Sequence, residues 1–106
     1  IAKGHSVQVC LARPEDLVAE VKAIAEAASA SGRAPVAALV ISCSGRKAVL
    51  GSQIGHEVSA LTEAFAPGLP LAGFPSLGEI APLQGANGYT RNLFHNMTYV
   101  LLLIEQ

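Results

Sequence analysis

Along residues 5–12 the chain alternates, with Val7, Val9 and Leu11 on one side and Ser6 and Gln8 between them. That period of two predicts a strand with one wetter face. The period then changes. Leu17, Val18, Val21, Ile24, Ala25 and Ala28 recur at helical spacing. Pro14 suits the first helical turn, Glu15 and Asp16 complement the positive end of the helix dipole, and Gly32 is the expected left-handed cap. Residues 36–42, with AALVI at their heart and Pro35 and Gly45 as bounds, form a compact apolar run that predicts a central strand covered on both faces. The following SCSGRKAVLG reads as a sharp turn. Ile54, Val58, Leu61, Thr62 and Phe65 then mark a second helix, stopped by Pro67 and Gly68. A short strand is expected over residues 69–74 and a last one over residues 97–104, with a long loop over residues 75–93 between them. The predicted order is β-α-β-α-β-β. Two final strands without an intervening helix argue for a mixed sheet with helices packed on it, in a single α+β domain. AALVI and YVLLLI are expected to be its most buried strands.

Composition supports one globular domain. Of 106 residues 51% are hydrophobic and 14% charged, enough apolar material to bury a core. Seven Lys plus Arg against eight Asp plus Glu leave the chain near neutral, and only Arg46 and Lys47 stand side by side. Nucleic acid is excluded as a partner for want of a basic stripe. No apolar run approaches the roughly 18 residues a membrane span needs and no basic-then-apolar leader is seen, so the expectation is a cytoplasmic domain without membrane insertion. Cys10 and Cys43 lie on separate strand segments without CxxC spacing or a nearby histidine pair. Neither a metal site nor a disulfide is indicated, no cofactor motif is present, and reduced, buried thiols are expected. Because the chain opens on Ile1 and stops at Gln106 just past a strand, it is expected to be a piece of a longer protein.

Candidate chemistry concentrates in two runs. In GFPSLGEIAP the residues Gly73, Pro75, Gly78 and Pro82 restrict the backbone around one acid, Glu79. Held there, a carboxylate either ties its own loop together or faces a cleft where a cation binds. In the second run Ser42, Cys43, Ser44, Gly45 and Arg46 follow a buried strand, a setting in which turn amides and a guanidinium fork suit an anion. The alternative is that the serines satisfy the turn and Arg46 lies at the surface. Cys43 near Arg46 has one element of an activated thiol but no base beside it in sequence. His95 and Asn96 stand where the long loop enters the last strand, placed either to line the same cleft or to satisfy loop backbone.

Three runs in order, LVISCSGRKAVLG, PLAGFPSLGEIAPL and LFHNMTYVLLLI, resemble the C-terminal half of the FIST domain, named for F-box and intracellular signal transduction proteins. The resemblance implies a sensory module of signal-transduction proteins that binds a small ligand such as an amino acid. It also implies an N-terminal half as partner, and it carries no catalytic mechanism. The expected function is therefore non-enzymatic ligand binding, with Arg46 holding a carboxylate and Glu79 an ammonium in one concave site. That site requires the two strands before these runs to lie side by side and parallel, opening their C-terminal ends on one edge. A module that docks another protein through an apolar face is the alternative. A thiol enzyme built on Cys43 ranks third.

Overall fold

The computed structural model describes residues 2–105. Helix α1 (Pro14–Ser29) leads into strand β1 (Ala37–Cys43), which runs straight into α2 (Ser44–Leu50). A short 3-10 turn (Gly51–Gln53) joins α2 to α3 (Ile54–Thr62), and the chain returns in β2 (Leu71–Ser76). Short strands follow as β3 (Glu79–Ala81), β4 (Gln84–Gly85), β5 (Gly88–Tyr89) and β6 (Leu93–His95), before β7 (Tyr99–Ile104). The main sheet has the order β2-β1-β7, with β2 parallel and β7 antiparallel to β1. The domain is thus α+β with a mixed sheet, and the parallel pairing expected of the second and third predicted strands is present.

Both long helices lie on one face of that sheet. Leu17, Val21 and Ala25, four residues apart, form the buried stripe of α1. They meet Ala60 and Leu61 of α3 over Tyr99, with Val40, Leu71 and Leu101 packed around them. In register Val40 faces Gly73 on one side and Leu101 on the other, so these residues share the helix-covered face. The opposite face carries Leu39, Ile41, Phe74, Val100, Leu102 and Ile104 and has no layer over it among the described residues: Phe74 is 55% and Leu102 54% exposed.

Four expectations are corrected. Residues 5–12 are not a strand: they make no ladder among the described residues, and Val9 and Leu11 are 92% and 88% exposed. Alternation supplies a strand's side chains, but a segment is a strand only where its backbone is bonded to a neighbour, and here it is not. Cys10 is consequently exposed, whereas Cys43 is buried, both as free thiols. SCSGRKAVLG is helix rather than turn, since Cys43 is the extended cap of α2. The last strand lies at the sheet edge, with only Tyr99 buried, so an all-apolar run here marks one covered face and one bare one. Residues 75–93 are not a plain loop either. Beyond the end of β1, the continuations of β2 and β7 come together and pair as β3 and β6, with the β4–β5 hairpin between them.

Gly73 sets how closely β2 approaches β1. A Cβ there would stand 2.5 Å from the Val40 carbonyl oxygen and 3.0 Å from Val40 Cβ. The oxygen is backbone and cannot swing aside. Gly73→Ala is therefore expected to cost about 1–3 kcal/mol in urea unfolding. Gly55→Ala, in α3 with open space around it, should instead stabilise by about 0.5–1 kcal/mol.

Candidate functional site

The C-terminal ends of β1 and β2 open beneath α3 into a cavity of about 400 Å³. Val40, Ser42 and Cys43 line it from β1, and Leu71, Gly73, Phe74 and Pro75 from β2. Ile54, Glu57 and Val58 of α3 form the far wall, Lys47 of α2 the cationic edge, and Tyr99 the base. Gly73 adds no side chain to the space, and Ile54 and Val58 are part-exposed because their wall has no neighbour inside it. The lining is mostly apolar with a few polar groups, as small-ligand sites generally are.

Beneath this cavity lies Arg46, fully buried and bonded through all three guanidinium nitrogens. Its Nε donates to Glu57 Oε1 at 2.8 Å, and Nη2 lies 2.6 Å from the same oxygen and donates to the Leu17 carbonyl at 2.9 Å. Nη1 donates to Glu20 Oε2 at 2.7 Å and to the Met97 carbonyl at 3.2 Å. The guanidinium also sits 5.5 Å from the centre of the Tyr99 ring, within cation–π range. One side chain thus joins α1, α2, α3 and the entry to β7. Burial first, and then the charge of Glu57, push the Tyr99 phenol up to about 12 against the opposing pull of Arg46. Neither sequence reading of Arg46, a fork for a ligand's carboxylate or a side chain at the surface, fits this burial: its donors face carbonyls and carboxylates of its own domain.

Glu79 closes a second polar knot, where β1 ends and its two neighbours converge. Ser76 Oγ at the end of β2 and Thr98 Oγ1 before β7 donate to its two carboxylate oxygens. Burial alone would raise the Glu79 pKa. Hydrogen bonds from Ser76, from the side chain and backbone of Thr98 and from Cys43 outweigh it and hold the carboxyl below the ordinary value. Cys43 Sγ also lies 3.2 Å from Asn96 Oδ1, which accepts the Met97 amide at 3.0 Å. That bond accompanies a left-handed backbone at Met97, φ 63°, costing about 1–2 kcal/mol and turning its carbonyl to Arg46. His95 Nε2 donates to the Ala81 carbonyl at 2.9 Å and fastens β6 to β3.

The fold therefore divides the sequence candidates between two places. Ser42, Cys43 and Gly73 meet at the cavity, while Cys43, Glu79 and Asn96 meet in the knot, with His95 beside it. Ser44 and Gly45 open α2, where a Cβ on Gly45 would collide with Met97 Sδ, and a Cβ on Gly78 would meet the Phe94 ring. Arg46 and Glu79 do not border one cleft: neither lines the cavity, because each is consumed by internal bonds. Sequence reasoning missed Lys47 and Glu57. Glu57 left a legible sign, since it falls three and four residues before Ala60 and Leu61 and so places a charge on the buried stripe of α3.

The model of the FIST C domain family matches residues 1–82, which include SCSGR and GFPSLGEIAP and leave LFHNMTYVLLLI beyond the match. An uncharacterized protein of Mycobacterium bovis (strain ATCC BAA-935 / AF2122/97) is 38% identical over 77 residues, covering 73% of this chain and 18% of that protein. An uncharacterized protein of Mycobacterium tuberculosis (strain CDC 1551 / Oshkosh) matches with the same identity and coverage. The chain spans 18% of the length of these curated relatives. No solved structure matches it.

Proposed function

Because the chain belongs to the FIST C domain family, which is associated with sensory signalling, we propose that it is a non-catalytic ligand-sensing domain whose site is the cavity under α3. The observation that carries this reading is the cavity itself, which is large enough for a small metabolite and lies at the ends of two parallel strands. Its charges fit an amino acid. Arg46 is one cation between two carboxylates, Glu57 and Glu20, so that cluster holds one negative charge in excess. Both Arg46 contacts to Glu57 fall on Oε1, which leaves Oε2 of this cavity-lining residue to receive an ammonium group. Lys47 takes the carboxylate at the rim, and Ile54, Val58 and Leu71 take an apolar side chain. Cys43 acts as a wall, its thiol turned to Asn96 and Glu79.

Thermal unfolding against leucine, valine and phenylalanine tests the reading, with isoamylamine and isovalerate as single-charge controls. A ligand held by the native state alone raises the midpoint, so the zwitterions should raise it and the controls should not. Lys47→Ala, at an exposed position, should leave the unliganded midpoint in place. It should weaken leucine by about 1 kcal/mol, roughly fivefold, since an exposed cation is worth less than a buried one. Unchanged midpoints with every amino acid at millimolar concentration refute the assignment.

A second reading rests on the bare sheet face. Phe74, Leu102 and Ile104, all about half exposed, form a surface suited to docking a partner such as the N-terminal FIST half. Binding of that half would be lost on Leu102→Glu, whereas amino-acid shifts would survive it. No helix of the described residues is long and apolar enough to cross a membrane.

A further inference from the structure

We propose that the outer edge of β7 is a docking edge for the chain's own residues 5–11, which close onto it as a fourth strand of the main sheet. Three independent observations meet here. Residues 5–11 have the alternation of a strand and no ladder partner among the described residues, with Val7, Val9 and Leu11 all exposed. β7 ends the order β2-β1-β7, so its outward amides and carbonyls have no ladder, and residues 99–104 contain neither a charge nor a proline to guard the edge. Handedness then selects which edge is used. The connection from β1 through α3 to its parallel neighbour β2 passes over the helix-covered face, and α1 packs on that same face. Right-handed crossovers place each successive parallel strand on the same side of its predecessor. If β2 lies to one side of β1, a strand that precedes α1 and runs parallel to β1 belongs on the other side, where β7 stands. It would lie antiparallel to β7.

The tether fits this placement. Arg46 holds the Leu17 carbonyl of α1 and the Met97 carbonyl before β7, so α1 begins at the end of the sheet where β7 begins. Only Ala12 and Arg13 separate Leu11 from Pro14, which brings the segment back beside the first residues of β7 and makes its effective concentration at that edge high. β7 is apolar on both faces, with Val100, Leu102 and Ile104 on one and Leu101 and Leu103 on the other, so Val7, Val9 and Leu11 meet apolar cross-strand neighbours on either side.

Hydrogen exchange of this chain, with sedimentation alongside, tests the proposal. The expected result is a monomer in which alternate amides of residues 6–11, those facing β7, and the outward amides of β7 are protected together. A double variant, Gln8→Pro with Val9→Pro, removes two successive amides, one of which faces β7 in either register, at positions exposed when the segment is undocked. It should abolish protection in both places and lower the unfolding midpoint. Absence of protection throughout residues 6–11, or an unchanged midpoint and exchange pattern in the double variant, overturns the proposal. A dimer that the double variant dissolves also overturns it, since the edge would then be filled by a second copy.

Discussion

Arg46→Met is expected to remove about 3–5 kcal/mol of stability, much of the roughly 5–15 kcal/mol a domain possesses. The loss has a particular source. Arg46 contacts two carboxylates, but they are not equivalent: Glu20 is half exposed and regains water, whereas Glu57 stays buried with its countercharge gone. The stranded Glu57, rather than the count of lost bonds, sets the magnitude. Arg46→Met combined with Glu57→Met should therefore recover a large part of the loss, a coupling that a double-mutant cycle by urea unfolding measures directly. Arg46→Lys should not rescue, because one ammonium cannot reach acceptors on α1, α3 and the Met97 carbonyl together. Equal stability of the single and double variants would show that Glu57 is not what makes the buried cation necessary.

Glu79→Gln is expected to cost about 1.5–3 kcal/mol near neutral pH, the scale of hydrogen bonds to a charged acceptor. It should also change how stability depends on pH. The folded-state pKa of Glu79 lies below the ordinary 4.5. Its contribution is therefore fully present above that ordinary value and is lost as pH falls through the folded-state pKa. Asp16, held low first by its hydrogen bond from Arg13, loses its contribution in the same direction but is exposed and paired only within its own helix end. Unfolding midpoints at pH 7 and pH 3 separate the two. The wild type should lose more stability than Glu79→Gln over that interval, and parallel profiles would show that Glu79 ionisation does not hold the knot. Ligand shifts in the variant should persist, since Glu79 does not line the cavity.

Much of the architecture was present in local patterns. The stripe of Leu17, Val21 and Ala25 is read directly as a helix face, and AALVI as the central strand, because each depends on spacing and apolar content within one segment. The parallel neighbourhood of β1 and β2, which the shared site required, is present, and a strand, a helical return and a strand have few other ways to connect. Residues 5–12 and 99–104 mark where that reasoning stops. Alternation and apolarity describe what a segment offers, whereas its burial depends on whether another element arrives to cover it. Among the described residues of this structure, no helix covers the second face of β7 and residues 5–12 lie outside the sheet.

The candidate site divides along the same line. Sequence alone determined that SCSGR and GFPSLGEIAP flank the ends of two neighbouring strands, and hence where a cavity opens. Only the tertiary structure decided which charges face it. Arg46 and Glu79 stand out as ions among small residues, yet whether such an ion is free for a ligand depends on acceptors and donors far along the chain. Arg46 meets Glu20 and Met97, 26 positions before it and 51 after it, and Glu79 meets Thr98, 19 positions on. Those partners satisfy the hydrogen bonds of both groups, since a buried ion without a bonded partner is too costly to keep. Lys47 at the rim and Glu57 on the wall acquire their place from the helices that carry them, a position that no local pattern contains.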